Sequence, residues 1–87
     1  MRTSYVRLTG SGSVIAGEGV LCGMYVSSTS SGTVKLYDYL SATSTVINNT
    51  ITPAIGYHNL GNVHCTTGCY CQTTGTIDVT FHVLKAE

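Results

Sequence analysis

The sequence predicts an all-β protein: a small antiparallel β-sandwich, jelly-roll-like, with about seven to eight short strands in one domain over residues 1–87. Three observations predict it. Short stretches of alternating apolar and polar residues recur between clusters of Gly, Ser, Asn and Thr, and no segment carries a helical stripe. Turn signals return at a spacing of about 8–12 residues, as they do in sandwiches and barrels. Ser and Thr supply 23 of the 87 residues and proline occurs once, a composition suited to pleated, hydroxyl-coated surfaces.

The first strand spans residues 3–9, with Val6 and Leu8 on one face and Tyr5 and Arg7 on the other, and it ends at Gly10-Ser11-Gly12-Ser13. A short segment, Val14-Ile15-Ala16, and a turn at Gly17-Glu18-Gly19 lead into a second strand, residues 20–27. Simple alternation puts Val20, Cys22, Met24 and Val26 on one face and Leu21, Gly23 and Tyr25 on the other. The run from Ser27 to Gly32 reads as a hairpin connection, because serine side chains form local turns and glycine supplies a positive φ. A third strand, residues 33–39, turns Val34 and Leu36 inward and Lys35 and Tyr37 outward, with Asp38 near its end. In Thr45-Val46-Ile47-Asn48-Asn49-Thr50-Ile51 the adjacent apolar pair leaves two registers open, and the one with Ile47 and Ile51 inside is expected. Pro53 cannot donate to a ladder and marks a strand end or an edge. Residues 57–65 form the next strand, and Thr66-Thr67-Gly68 has the length and terminal glycine of a three-residue hairpin loop that returns through residues 69–73. The last strand, residues 76–84, has the clearest pattern: Ile77, Val79, Phe81 and Val83 alternate with Asp78, Thr80 and His82, and it is expected to be central in its sheet.

Only 9% of the residues are charged, whereas a soluble domain ordinarily carries about a quarter. A surface that neutral does not repel its partners, so it suits a subunit packed against copies of itself. A chain of this length buries roughly two-thirds of its unfolded surface and is helped by oligomerisation, disulfides or a metal. The four cations, Arg2, Arg7, Lys35 and Lys85, are spread along the chain, so no basic stripe is available for nucleic acid. Met1-Arg2-Thr3-Ser4-Tyr5 leads into alternating residues and no window approaches a membrane span, so synthesis in the cytosol, reduced thiols and no membrane partner are expected.

Tyr5, Tyr25, Tyr37 and Tyr70 fall on the outward face of their strands, joined by Leu21 and Leu84, and these six are the interface candidates. Tyrosine buries area while keeping a polar tip, which is why it is enriched at interfaces, although single exposed tyrosines on strands are also ordinary. The cysteines admit three readings. In a hairpin closed by Thr66 to Gly68, Cys65 and Cys69 face each other, with Val63 and Cys71 on the same side and His64 and Tyr70 on the other. Cys65 and Cys69 are then the candidate disulfide in an oxidising medium, and Cys69 and Cys71 are too far apart along one strand to bond. A metal held by Cys22, Cys65, Cys69 and Cys71 is the lesser alternative, and small buried hydrophobes without a bond are the plain reading for a protein made in the cytosol.

No catalytic residues and no cofactor are expected. Glu18, Asp38, Asp78 and Glu87 are scattered, His58, His64 and His82 lie on strands, and no Gly-x-Ser-x-Gly elbow is present. Gly10-Ser11-Gly12 lacks the following helix that a phosphate cradle needs, and Asn48-Asn49-Thr50 has no meaning as a glycosylation acceptor without secretion.

The order Tyr5-Val6-Arg7-Leu8-Thr9-Gly10-Ser11-Gly12, Gly19-Val20-Leu21, Ser31-Gly32-Thr33-Val34-Lys35-Leu36-Tyr37-Asp38, Thr50-Ile51-Thr52-Pro53 and Thr74-Gly75-Thr76-Ile77-Asp78-Val79-Thr80 resembles short virion structural proteins of tailed bacteriophages. These are β-sandwiches of the capsid decoration, cement or head-fibre type. The resemblance covers nearly the whole chain, except that the cysteine cluster departs from a plainer loop. It implies a non-enzymatic protein on the capsid surface, made in the host cytoplasm, which binds the major capsid protein or another virion protein and copies of itself, with a trimer favoured. The alternative is a host-surface or glycan-binding adhesion module, since tyrosines on a polar sheet stack on sugar rings, and that reading needs a groove. A small cysteine-dependent metal-binding protein is the second alternative.

Overall fold

The computed structural model describes residues 2–42 and 46–85; residues 1, 43–45, 86 and 87 and the side chain of Arg2 lie outside the description. Six strands form one antiparallel sheet: β1 (Arg2–Leu8), β2 (Gly12–Ile15), β3 (Gly19–Tyr37), β4 (Val46–Ile51), β5 (Gly56–Cys65) and β6 (Cys69–Lys85). β3 and β6 pair along their whole length, from Gly19 opposite Lys85 to Tyr37 opposite Tyr70. At about 3.3 Å per residue a straight strand as long as β3 would run roughly 60 Å. The longest dimension of the molecule is 35 Å, so the ribbon is folded over.

The fold divides the sheet into two layers. One has the order β1-β6-β3-β5 and uses the 19–26 half of β3; the other has the order β2-β6-β3-β4 and uses its 34–37 half. This is the strand order of the two sheets of a jelly roll, here joined through two unbroken strands. Side chains from both layers make a single core, including Leu21, Met24, Leu36, Cys71, Ile77 and Phe81. The expected alternation of β6 is present: Ile77, Val79, Phe81 and Val83 are buried, and β6 lies between β1 and β3.

The bend replaces the hairpin that the sequence predicts at Ser27 to Gly32. Ser30 and Ser31 both face Thr76, so β3 carries one extra residue there. Ser31 takes φ 56°, and Gly75, one residue before the Thr76 it faces, takes φ 70°, where any Cβ would collide with the Ser31 carbonyl. The Gly32 N–H donates to the Thr29 hydroxyl at 3.1 Å, and the Thr33 and Thr74 hydroxyls bond to each other across the ladder. Serine and glycine here curve a continuous strand, as they do at bulges.

A second bulge overturns the expected faces of Val20, Leu21 and Cys22. Toward β6 the register shifts between Leu21 and Gly23 and leaves Cys22 as the extra residue, while toward β5 the extra residues of the same shift lie on β5, around Gly61 and Asn62. Leu21 consequently points inward beside Met24 and Val26, which keep their expected face, while Val20 and Cys22 are half-buried. The expected hairpin at Thr66 to Gly68 is also absent. β5 pairs with β3, and β6 pairs with β1, β2 and β3, so residues 66–68 form an arch from one layer to the other. Asp38 holds that arch: its carboxylate accepts the Thr66 N–H at 3.1 Å, the Thr67 N–H at 3.4 Å and the Thr66 hydroxyl at 3.4 Å. Pro53 is buried just beyond the end of β4.

Candidate functional site

Two surfaces stand out. The first is the outer face of the β1-β6-β3-β5 layer, whose side chains are ordered in rows by the register. One row runs Tyr5, His82, Gly23, Asn59; the next runs Arg7, Thr80, Tyr25, Tyr57. Tyr5, Tyr25 and Tyr57 are 71%, 45% and 53% exposed. Tyr57 does not stand up from the sheet, because its phenol lies across Gly23, in space that a Cβ at that position would occupy. Its ring reaches His82, with centroids 5.6 Å apart and planes inclined at 43°. Tyr5, Tyr57 and His82, with Thr3, Cys22 and Val83, bound an open depression of about 430 Å³. On this face the Asp78 carboxylate accepts two bonds from Arg7, of 2.9 and 2.7 Å. The guanidinium holds the Asp78 carboxyl below the usual carboxylate range, chiefly by hydrogen bonding.

The second surface is the flank where β4 and β5 are the free edges of the two layers. A cleft of about 300 Å³ opens between Leu36, Ile47 and Ile51 on one side and Leu21, Leu60 and Val63 on the other. Ile51, which lines it, is 40% exposed; Val46 of β4 and Ile55, just before β5, are 41% and 63% exposed. Ile51, expected inside, therefore sits at the lip, and Ile47 is half-buried against the core. The whole stretch from Tyr39 to Ile77, which includes β4 and β5, holds no Asp, Glu, Lys or Arg. Free edges are ordinarily protected by charge. On the opposite flank β1 and β2 are the outer strands, and the Leu8 side chain of β1 lies against the Gly12 backbone of β2.

The six interface candidates separate. Tyr5 and Tyr25 are exposed on the aromatic face, and Leu84 is half-buried beside Val20 on the same side. Leu21 is not a surface residue; the Cys22 bulge turns it into the core at 0% exposure. Tyr37 leaves the other layer outward as expected but is covered. It faces Tyr70, donates its hydroxyl to Gln72 Oε1 at 3.0 Å, lies under the Lys35 ammonium and is 5% exposed. Tyr70 is half-buried in the same group. Tyr57 and Gly23 were not candidates, because their meeting depends on β5 pairing with β3, which no local pattern announces.

The cysteines also separate. Cys65, Cys69 and Cys71 are buried free thiols, while Cys22 lies on the outer face with its thiol toward the Val20 carbonyl at 3.9 Å. A sheet stands between Cys22 and the other three, which removes the four-cysteine metal set; among the described residues no three His, Cys, Asp or Glu side chains are placed to hold a metal. Cys65 and Cys69 meet as a thiol pair, brought together by the arch rather than by a hairpin. Burial, the largest cause, pushes the Cys65 and Cys69 thiols up and the Cys71 thiol up to about 12. None is a thiolate near neutral pH, so none offers a ready nucleophile. Elsewhere His64 Nε2 and Glu18 pair at 2.7 Å on the surface, and His58 Nε2 bonds the Ala54 carbonyl at 2.8 Å.

No family model matches the chain, and no curated protein and no solved structure is significantly similar to it.

Proposed function

We propose that this protein is a virion structural protein of the capsid-decoration or cement kind, acting as a homo-oligomer without catalysis. The observation that carries the reading is the β4/β5 flank: two strand edges that are free among the described residues and hold no Asp, Glu, Lys or Arg, bordering an apolar cleft that reaches the core residues Leu21 and Leu36. Such a flank loses apolar stabilisation while wet and templates further pairing, so it calls for a permanent cover. A second copy presents the same edges and the same protruding Ile55. One flank set against a different surface of the next copy is a heterologous contact, which closes into a ring when the rotation allows it. Three copies is the number that the resemblance to tailed-phage virion proteins implies.

The mechanism is mechanical. Oligomer contacts stabilise a small fold by mass action, and many weak contacts around a closed shell sum to a resistance that no single contact has. The test is mass spectrometry of purified particles from the producing culture, followed by imaging that counts copies per capsomer. The reading expects the protein in the particles at fixed stoichiometry on the outer shell. Its absence from them overturns the reading.

A further inference from the structure

We infer that the depression between Tyr5, Tyr57 and His82 is a binding site for a neutral saccharide, a role independent of the shell-binding reading and located on a different surface. Size is the first argument. About 430 Å³ is within the range of small-ligand sites, roughly 300–1,000 Å³. The second is rigidity: Tyr57 is laid flat by the missing side chain at Gly23 and braced by His82, so its ring is ordered before any ligand arrives. A flat phenol with an open face suits the C–H face of a pyranose ring, which offers weakly polarised hydrogens to the negative π face.

The polar groups fit the same ligand. Among the described residues, the Tyr5 and Tyr57 hydroxyls and the His82 imidazole make no hydrogen bond to protein, which leaves donors and acceptors available to sugar hydroxyls. Among the described residues no charged side chain lines the depression, and the adjacent Arg7 and Asp78 satisfy each other, so these residues favour a neutral glycan over an anionic one. Several copies in one oligomer would multiply a weak single-site affinity.

The experiment uses the intact protein in its native oligomeric state, with maltohexaose, cellohexaose, chitohexaose and galactobiose as neutral probes and sialyllactose as a charged comparator. Saturation-transfer NMR reads binding, and titration reads affinity. At least one neutral probe is expected to bind at millimolar strength or better, with transfer strongest to ring C–H protons. Tyr57→Ala and Tyr5→Ala should each weaken it about tenfold, the scale of one lost aromatic contact, while Tyr37→Phe on the other layer leaves it unchanged. Should a variant misfold, amide shift changes in the unmodified protein must centre on Tyr5, Tyr57 and His82. The inference is overturned if no neutral probe binds, if only sialyllactose binds, or if binding survives both substitutions. It is also overturned if Tyr57→Ala alters the oligomer mass while no sugar is retained, which would make this face a protein contact. Loss of sugar binding with an unchanged oligomer leaves the shell-binding reading standing.

Discussion

β3 sends one tyrosine outward from each layer of the sandwich, and the two have opposite fates. Tyr25 faces Thr80 and Tyr57 and remains 45% exposed; Tyr37 faces Tyr70, is bonded by Gln72 and is 5% exposed. Alternation decides the side on which a ring leaves the sheet, but cross-strand neighbours decide whether it stays in water. The aromatic layer has Gly23 and small polar groups between its rings, which opens a depression. In the other layer Gln72, Lys35 and Tyr70 surround Tyr37 and cover it.

The largest effect is expected where alternation fails within the aromatic layer. Leu21→Ala removes a fully buried side chain and should cost about 2–5 kcal/mol in chemical denaturation. A loss below about 0.5 kcal/mol, the scale of a surface change, would place Leu21 outside and break the bulge assignment.

The buried thiols give the next effect. Cys71 is raised from 9.0 to about 12 in the folded protein, so between those values the unfolded chain releases a proton that the native state keeps. Its contribution is full below pH 9 and is lost as pH rises toward 12. The thermal midpoint should therefore fall across that window, less steeply in Cys71→Val than in the unmodified protein. Parallel slopes would contradict the burial of this thiol.

Smaller still is the difference between the two tyrosines themselves. Tyr37→Phe removes the bond to Gln72 and should cost about 0.5–1.5 kcal/mol, whereas Tyr25→Phe should be close to neutral. Equal costs in urea unfolding would erase the contrast between the layers.

The parts of this architecture legible in the sequence are those set by neighbours along the chain. Ile77, Val79, Phe81 and Val83 alternate without interruption, and their strand is buried and central. The faces of β1 and of the 34–37 half of β3 follow from the same rule. Elsewhere local chemistry was ambiguous. Serine and glycine at 27–32 suit a turn and a bent strand equally, and only pairing with β6 over the full length selects the strand. The Cys22 bulge leaves no local mark, yet it reverses the faces assigned to Val20 and Leu21. Thr66-Thr67-Gly68 has hairpin chemistry, but Asp38, distant in sequence, makes it an arch. The uncharged stretch from Tyr39 to Ile77 is a sequence signal for the β4/β5 flank, but its meaning depends on knowing that both strands are edges.

The central claim, that the β4/β5 flank is covered by another copy, is tested most directly by sedimentation equilibrium of the unmodified protein and of Ile55→Lys. The account predicts a stable oligomer for the first and, for a variant that keeps its β-sheet circular dichroism, dissociation to protomers. A protomer that persists at high concentration in the unmodified protein, or an oligomer indifferent to the lysine, would contradict it.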